Sequence, residues 1–250
     1  MTTDKASALR ALHVPGTPLV LPNVWDAASA RAVREAGFPV VATGSAAVSR
    51  VLGYDDGEAT PVGEMMAAIA RVARAVDVPV TADVERGYRL KPAELVERLL
   101  ATGAVGCNLE DSVPGAGEMV GREAQAEFLA EVRAAAGDEL VINARIDVYL
   151  RGPGSPVEAH EEAVERGRSY LEAGADSLYP IGLADEDAIQ ALTAELGGPV
   201  NILFRPGTPS LGRLAELGVA RISFGGGLHQ AAHAYAQGLF AKVREGHSPY

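Results

Sequence analysis

The chain has 250 residues, enough to bury a sizeable core, and its 48% hydrophobic and 22% charged content is that of an ordinary soluble globular protein. Twenty-two basic against 33 acidic residues leave a net charge of -11, which argues against nucleic acid as a partner, and no apolar run is long enough to span a bilayer. The single cysteine, Cys107, allows neither an internal disulfide nor a Cys-based zinc site, so a reducing, cytoplasmic setting is expected, and the opening "MTTDKASALRAL" lacks the apolar stretch of a signal peptide.

The first thirteen residues or so predict a leading helix. Short apolar runs then alternate with Ala-rich, charge-patterned segments. In chain order the spacing predicts strand "LVLPN" (19–23), helix 26–36, strand "PVVATG" (39–44), helix 61–76, strand "PVTADVE" (79–85) and helix 92–102. Strand "VGCNLED" (105–111), helix 122–136, strand "LVINARID" (140–147), helix 158–173 and strand "DSLYPIG" (176–182) follow. Helix 185–196, strand "PVNILFR" (199–205), helix 209–217, strand "ARISFGG" (220–226) and helix 228–245 complete the chain. Gly stops several helices just ahead of the next strand, as in "REAGFPVV", "LATGAVG", "LEAGADS" and "AELGVAR". Eight strands alternating with eight helices predict parallel strands joined by crossover helices. At this length that is an α/β protein with a single (β/α)8 barrel domain over residues 1–250. An open doubly wound sheet is the alternative, but the Gly-rich phosphate turn it usually carries after its first strand is absent.

In such a barrel the active site lies at the C-terminal ends of the strands. Polar residues gather there: Asn23; Thr43, Gly44 and Ser45; Asp83 and Glu85; Asn108, Glu110 and Asp111; Asn143, Arg145 and Asp147; Tyr179; Ser223. Asp147 and Ser223 read as ordinary strand-to-loop residues. Asp83 and Glu85, two apart on a strand, would point the same way, and with Glu110 they bring mutually repelling carboxylates to neighbouring strand ends. A divalent cation would settle them, and an all-oxygen ligand set suits magnesium or manganese. The competing reading is a salt-bridged rim with Arg145 and Arg86 as partners. Arg145 shares the parity of Asn143 and can hold a substrate carboxylate or a developing enolate oxygen, or pair with Glu110. Thr43-Gly44-Ser45 reads either as a cradle of N–H groups and hydroxyls for a carboxylate or phosphonate, or as a tight turn that needs small residues. Tyr179 is a candidate proton donor or hydrogen-bonding wall, with packing as its competitor. Cys107, at the opposite parity to Glu110, reads as a buried structural thiol. His229 and His233, at i, i+4 on the last helix, read as helix surface or a subunit contact.

Five segments in order, "LPNVWDAASARAVREAGF", "ATGSAAVSRVLGYDDGE", "ADVERGY", "NLEDS" and "NARIDVYL", resemble the isocitrate lyase / phosphoenolpyruvate mutase superfamily, over about residues 18–227. The resemblance implies a (β/α)8 barrel that forms dimers or tetramers, with the last helix swapped between subunits. It implies Mg2+-dependent making or breaking of C–C or P–C bonds next to a 2-oxo acid. Asp83 then looks like the direct metal ligand, and Glu85, Glu110 and Asp56 like acids that hold metal-bound water. Ser45 with Gly44 or Ala46 looks like the carboxylate-binding turn, Arg145 like the substrate-binding arginine, and Trp25 and Asp26 match the start of the pattern. The departure lies in the loop after "NLED". Lyases of the family carry a Lys-Lys-Cys-Gly-His-like gating segment there, and the mutase pattern an Asn; "SVPGAGEMVGRE" has no Cys, His, Lys or Asn. The chain therefore resembles a 2-methylisocitrate lyase-like branch without the gating-loop Cys.

The resemblance implies a Mg2+-dependent lyase or decarboxylase that cleaves a C–C bond of a small 2-hydroxy or 2-oxo di- or tricarboxylate through a metal-stabilised enolate of a 2-oxo acid. The alternatives are a P–C bond mutase or hydrolase of the phosphonopyruvate type, and a non-catalytic binder of 2-oxo acids. The expected partners are a small carboxylate and further copies of the chain, with neither nucleic acid nor membrane.

Overall fold

The computed structural model describes residues 2–152 and 154–250. Its first half contains α1 (Thr2–Ala11), β1 (Leu19–Leu21), β2 (Asn23–Val24), α2 (Ala27–Glu35), β3 (Val41–Thr43), α3 (Ser45–Leu52), α4 (Val62–Arg74), β4 (Val80–Asp83), α5 (Pro92–Ala101) and β5 (Gly106–Glu110). The second half contains α6 (Arg122–Ala136), β6 (Val141–Ile146), α7 (Val148–Arg151), α8 (Pro156–Glu172), β7 (Ser177–Pro180), α9 (Glu186–Leu196), β8 (Asn201–Leu203), α10 (Leu211–Glu216), β9 (Arg221–Ser223) and α11 (Gly227–Arg244). The predicted alternation holds, with shorter strands than the apolar runs suggested. The leading helix is α1. Two helices were not anticipated: α3 follows a Gly at a strand end that reads equally as a tight turn, and α7 is only four residues long, too short to show a helical period.

The strands are parallel and form two sheets, in the orders β2-β3-β4-β5-β6-β7 and β1-β9-β8. β1 and β2 are one stretch of chain interrupted at Pro22, which has no N–H to give to a ladder. Leu21 pairs with Ser223 on one side of that break and Asn23 with Ala42 on the other. At the far edges Leu178 of β7 forms a parallel bridge to Val200, and its N–H donates to the Pro199 carbonyl at 2.9 Å. Among the described residues no helix is long and apolar enough to cross a membrane.

Side-chain alternation assigns the two strand faces different work. Val80, Ala82, Cys107, Leu109, Ile142, Ala144, Leu178, Ile202 and Ile222 face the helices and build the main core with them. The other face starts apolar: Leu19, Leu21 and Val141 pack against Ala6 and Leu9 of α1. Gly106 makes room for that helix, since a Cβ there would stand 2.7 Å from Leu9 Cδ2 and 2.9 Å from Thr81 Oγ1. Above it comes a buried polar layer. Asn143 Nδ2 donates to Asn108 Oδ1 (2.9 Å), Ser177 Oγ to Asn143 Oδ1 (2.7 Å), and Arg221 Nη2 to Asn108 Oδ1 (3.2 Å). The same face ends, at the C-terminal strand ends, in Asp83, Glu110, Arg145 and Tyr179.

Candidate active site

The site is organised around Asp83, the last residue of β4. β3 runs through Gly44, the N-cap residue, straight into α3, so Ser45 opens a helix. The first N–H groups of a helix have no partner within it. Ser45 uses its own on Asp83: its N–H donates to Asp83 Oδ2 at 3.2 Å and its hydroxyl to the same oxygen at 2.9 Å. The Thr43-Gly44-Ser45 segment is therefore a helix entrance, and its Ser45 donors grip Asp83 instead of standing free for a ligand. Asp83 N–H in turn donates to Thr43 Oγ1 at 3.1 Å. Asn23 stitches the neighbourhood together: its Nδ2 donates to the Thr43 carbonyl (3.0 Å), while its Oδ1 accepts from the N–H groups of Phe224 (2.8 Å) and Gly225 (2.9 Å). Among the described residues the one hydrogen-bond contact of Asp83 Oδ1 is long, 3.4 Å from the Glu85 N–H.

Glu85 lies beyond the strand, with φ of 52°, so simple parity does not place it. Its carboxylate is nevertheless buried and engaged, accepting from the Glu58 N–H at 2.5 Å and the Tyr88 hydroxyl at 2.8 Å. Burial pushes its pKa up to about 7, with Asp56 and Asp83 adding to the rise. Asp56 sits on the loop after α3, exposed as a residue but with its carboxyl turned in toward Ser45 and Asp83; desolvation first, then Asp83, raises its pKa. Glu110 ends β5 opposite Arg145 of β6, with Arg145 Nη1 2.5 Å from Glu110 Oε2. Burial pushes Glu110 up to about 8 against the pull of Arg145, and Asp147, Asp83 and Glu85 push the same way.

Arg145 cannot satisfy Glu110 alone, because Asp147 already holds it. Nε donates to Asp147 Oδ1 (2.6 Å) and Nη2 to Asp147 Oδ2 (2.8 Å), a bidentate pair with a fully buried carboxylate. Asp147 is fixed in turn by the Ser112 hydroxyl, and its N–H donates to Asp111 Oδ1 at 2.8 Å. Reading Asp147 as an ordinary strand-end residue is thus corrected: it sets the guanidinium fork. The signal available in the sequence was its i+2 spacing from Arg145 on the same inner face. Ser223 is corrected likewise, since it is buried, accepts from Asn201 Nδ2 at 3.2 Å and meets the Tyr179 hydroxyl.

The structure brings Asp56, Asp83, Glu85, Glu110, Arg145 and Tyr179 together. Tyr179 is buried, and burial pushes its hydroxyl up to about 12. Asn143 belongs to the polar layer beneath, with both ends of its amide engaged by Asn108 and Ser177, so it is not placed to bind a ligand. Ala46, half-buried, is the second residue of α3. Trp25 packs edge-on against His229 at 5.0 Å, and His229 is buried with no partner on either ring nitrogen, which corrects its reading as helix surface. Asp26 caps α2 in a reciprocal capping box with Ser29. Among the described residues Arg86 makes no ion pair with Asp83, Glu85 or Glu110; its guanidinium lies over the Phe128 ring at 5.5 Å, and the acid it acts on is Glu58. Cys107 is buried in the main core as expected, its thiol pushed up to about 12 by burial.

The sequence pattern of phosphoenolpyruvate phosphomutase matches residues 9–244. The chain belongs to the phosphoenolpyruvate phosphomutase family. It is 34% identical to an uncharacterised protein of Mycobacterium tuberculosis strain CDC 1551, over 89% of this chain and 85% of that one. It is 30% identical to an oxaloacetate decarboxylase of Rhodopseudomonas palustris strain CGA009, over 98% of this chain and 87% of that one. A crystal structure of a Burkholderia cenocepacia protein, provisionally described as a phosphonomutase, superposes with a TM-score of 0.91 at 42% identity, covering 95% of this chain and 99% of that one.

In this member of the phosphoenolpyruvate phosphomutase family, the donor set fits a magnesium ion. Among the described residues no three His, Cys, Asp or Glu side chains converge to hold a metal by themselves. Magnesium does not require that, since it keeps several waters and binds through one or two carboxylates. Asp83 has one oxygen held by Ser45 and another with only a long contact to the Glu85 N–H, and the surrounding acids share a single guanidinium, that of Arg145.

The raised carboxyls make the metal-free protein pH-dependent. Glu85 and Glu110 start from 4.5 and are raised to about 7 and about 8. A group raised on folding contributes stability that is present below its unfolded pKa and lost as pH rises through its folded one. Metal-free protein is therefore expected to lose melting temperature between pH 5 and pH 8, and the Glu85→Gln/Glu110→Gln double variant to lose less over the same window. Equal slopes for the two proteins would refute this.

Proposed function

We propose that the chain is a Mg2+-dependent (or Mn2+-dependent) carbon–carbon lyase or decarboxylase acting on a small 2-hydroxy or 2-oxo di- or tricarboxylate. The observation that carries the reading is Asp83, gripped at one oxygen by Ser45 and faced by Asp56, Glu85 and Glu110, with one shared arginine beside them. The kinship with an oxaloacetate decarboxylase supports the same reaction class.

Cleavage of a bond next to a 2-oxo group leaves an electron pair that becomes an enolate, and donors already aimed at its oxygen lower the barrier. Arg145 meets that need. Glu110 and Asp147 lock its fork in place before substrate arrives, so no reorganisation is required. Asp83, with Glu85, Glu110 and Asp56 beside it, would hold a magnesium ion, which when bound would supply Lewis-acid polarisation of the 2-oxo group. At the entrance of α3, Thr43, Gly44 and Ser45 are spent on Asp83 and the strand, and it is the next N–H, that of Ala46, that meets a substrate carboxylate, with Trp25 beside the approach. Tyr179 keeps its proton at neutral pH and can give it to the enolate carbon.

The scaffold we infer is one closed (β/α)8 barrel domain over residues 1–250, since β1 and β2 join the two sheets across Pro22 and the Leu178–Val200 bridge joins their far edges. A homo-oligomer with α11 covered by a second copy is part of the proposal. Of its 18 residues only His229 is buried, and Tyr235, Phe240 and Val243 are 72%, 69% and 56% exposed. Leaving such side chains in water is unfavourable.

The test is pyruvate release from a panel of oxaloacetate, substituted malates and substituted citrates, with MgCl2 and with EDTA. Release from at least one, abolished by EDTA, is expected. Consumption of phosphonopyruvate instead would replace the reading by P–C bond chemistry, and Mg2+-dependent binding without turnover by a 2-oxo acid binder.

A further inference from the structure

Among the described residues, the non-glycine residues with positive φ are Glu58 (60°), Glu85 (52°), Tyr88 (57°) and Arg89 (56°). All four lie in two turns, one after α3 and one after β4. Left-handed backbone is strained for such residues and persists only where surrounding contacts hold it. Here the two turns hold each other. Glu58 N–H donates to Glu85 Oε2 at 2.5 Å, Tyr88 N–H to Glu58 Oε1 at 2.6 Å, and the Tyr88 hydroxyl to Glu85 Oε1 at 2.8 Å. Two of the three donors are N–H groups of left-handed residues, so the strained conformation and the cross-turn bonds belong together. The base of the β4 turn is anchored independently: Gly87 N–H donates to the Val84 carbonyl (2.8 Å) and Glu110 N–H to the Glu85 carbonyl (2.9 Å).

We propose that Glu58 and Tyr88 are positioning residues, a latch that fastens the loop carrying Asp56 onto the turn that follows Asp83. Asp56 stands two residues before Glu58, so fastening Glu58 to the β4 turn also fastens the loop that carries Asp56. Neither Glu58 nor Tyr88 takes part in the chemistry; both act through Asp56 and Glu85. The inference rests on the functional reading above in one respect only, that Asp56, Asp83 and Glu85 serve a common ligand.

Four proteins decide it: wild type, Tyr88→Phe, Glu58→Ala and Glu58→Gln. Tyr88→Phe removes one hydroxyl and leaves the backbone alone, while Glu58→Gln keeps an oxygen for the Tyr88 N–H. The first readout, without ligand, is amide hydrogen exchange at residues 56–58 and 88. The second is the concentration of oxalate, at fixed MgCl2, that gives half the maximal rise in melting temperature. Tyr88→Phe and Glu58→Ala should exchange faster at residue 58 and need roughly tenfold more oxalate, the size expected for one hydrogen bond to a charged group. Glu58→Gln should stay near wild type in both. Unchanged exchange at residues 58 and 88 in both Tyr88→Phe and Glu58→Ala overturns the latch, and faster exchange with unchanged oxalate response overturns its positioning role. A wild type that ignores Mg2+ and oxalate would instead refute the metal-site reading, and exchange at residue 58 alone would then decide whether the latch exists.

Discussion

Asp83→Asn is expected to abolish the Mg2+-dependent response to oxalate or pyruvate, a loss of about a hundredfold or more in apparent affinity, while the metal-free fold becomes no less stable. The substitution keeps an oxygen for the Ser45 N–H and hydroxyl, so the entrance of α3 stays anchored. It removes one negative charge from a cluster in which Asp56, Glu85 and Glu110 are all pushed upward, each in part by Asp83. Relief of that repulsion offsets the weaker hydrogen bonds to a neutral amide. The measurement is melting temperature against MgCl2 concentration, with and without oxalate. A variant that still responds at wild-type metal concentrations would show that Asp83 is not the group that binds the cation.

Arg145→Met should be among the most damaging single changes in the molecule. The side chain neutralises Glu110 at 2.5 Å and grips Asp147, which is itself fully buried. Removing one partner of a buried ion pair strands the other charge, at a cost of about 3–5 kcal/mol. The cost should depend on pH in a defined direction. Glu110, already raised to about 8 with Arg145 present, rises further without it, so its share of the variant's deficit is small near pH 5 and grows as pH rises through 8. Urea midpoints at about pH 5 and about pH 9 test this, and adding Glu110→Gln to the variant should recover part of the loss at about pH 9. Catalysis should fall by about 10²–10³-fold even where the protein stays folded, the scale seen when one preorganised oxyanion donor is deleted. A deficit of equal size at about pH 5 and about pH 9 would mean that Arg145 stabilises by packing and not by charge.

The order of elements was legible in the sequence, and so were three of the site's principal side chains. Apolar runs bounded by Pro and Gly place the strands, and parity along β5 and β6 puts Glu110 and Arg145 on the same face as Asn108 and Asn143, where the register confirms them. These features depend on periods of two and of three to four residues, which are local properties of a chain. Asp83 was legible for the same reason, as the last inward-facing residue of β4. Tertiary structure decided what those side chains do to one another. That Ser45 opens α3 and spends its donors on Asp83 follows from a pairing 38 residues distant. That Asp147 fixes the guanidinium depends on Ser112, 35 residues away, and that Arg86 stacks on Phe128 removes a cation the sequence had offered to the acids. Glu85 shows the division most clearly. Its presence near Asp83 is written in "ADVERGY", but its left-handed backbone and its hold on Glu58, 27 residues upstream, are not. Loop conformations of this kind are minima only in the presence of distant hydrogen-bond partners, so no local rule can supply them.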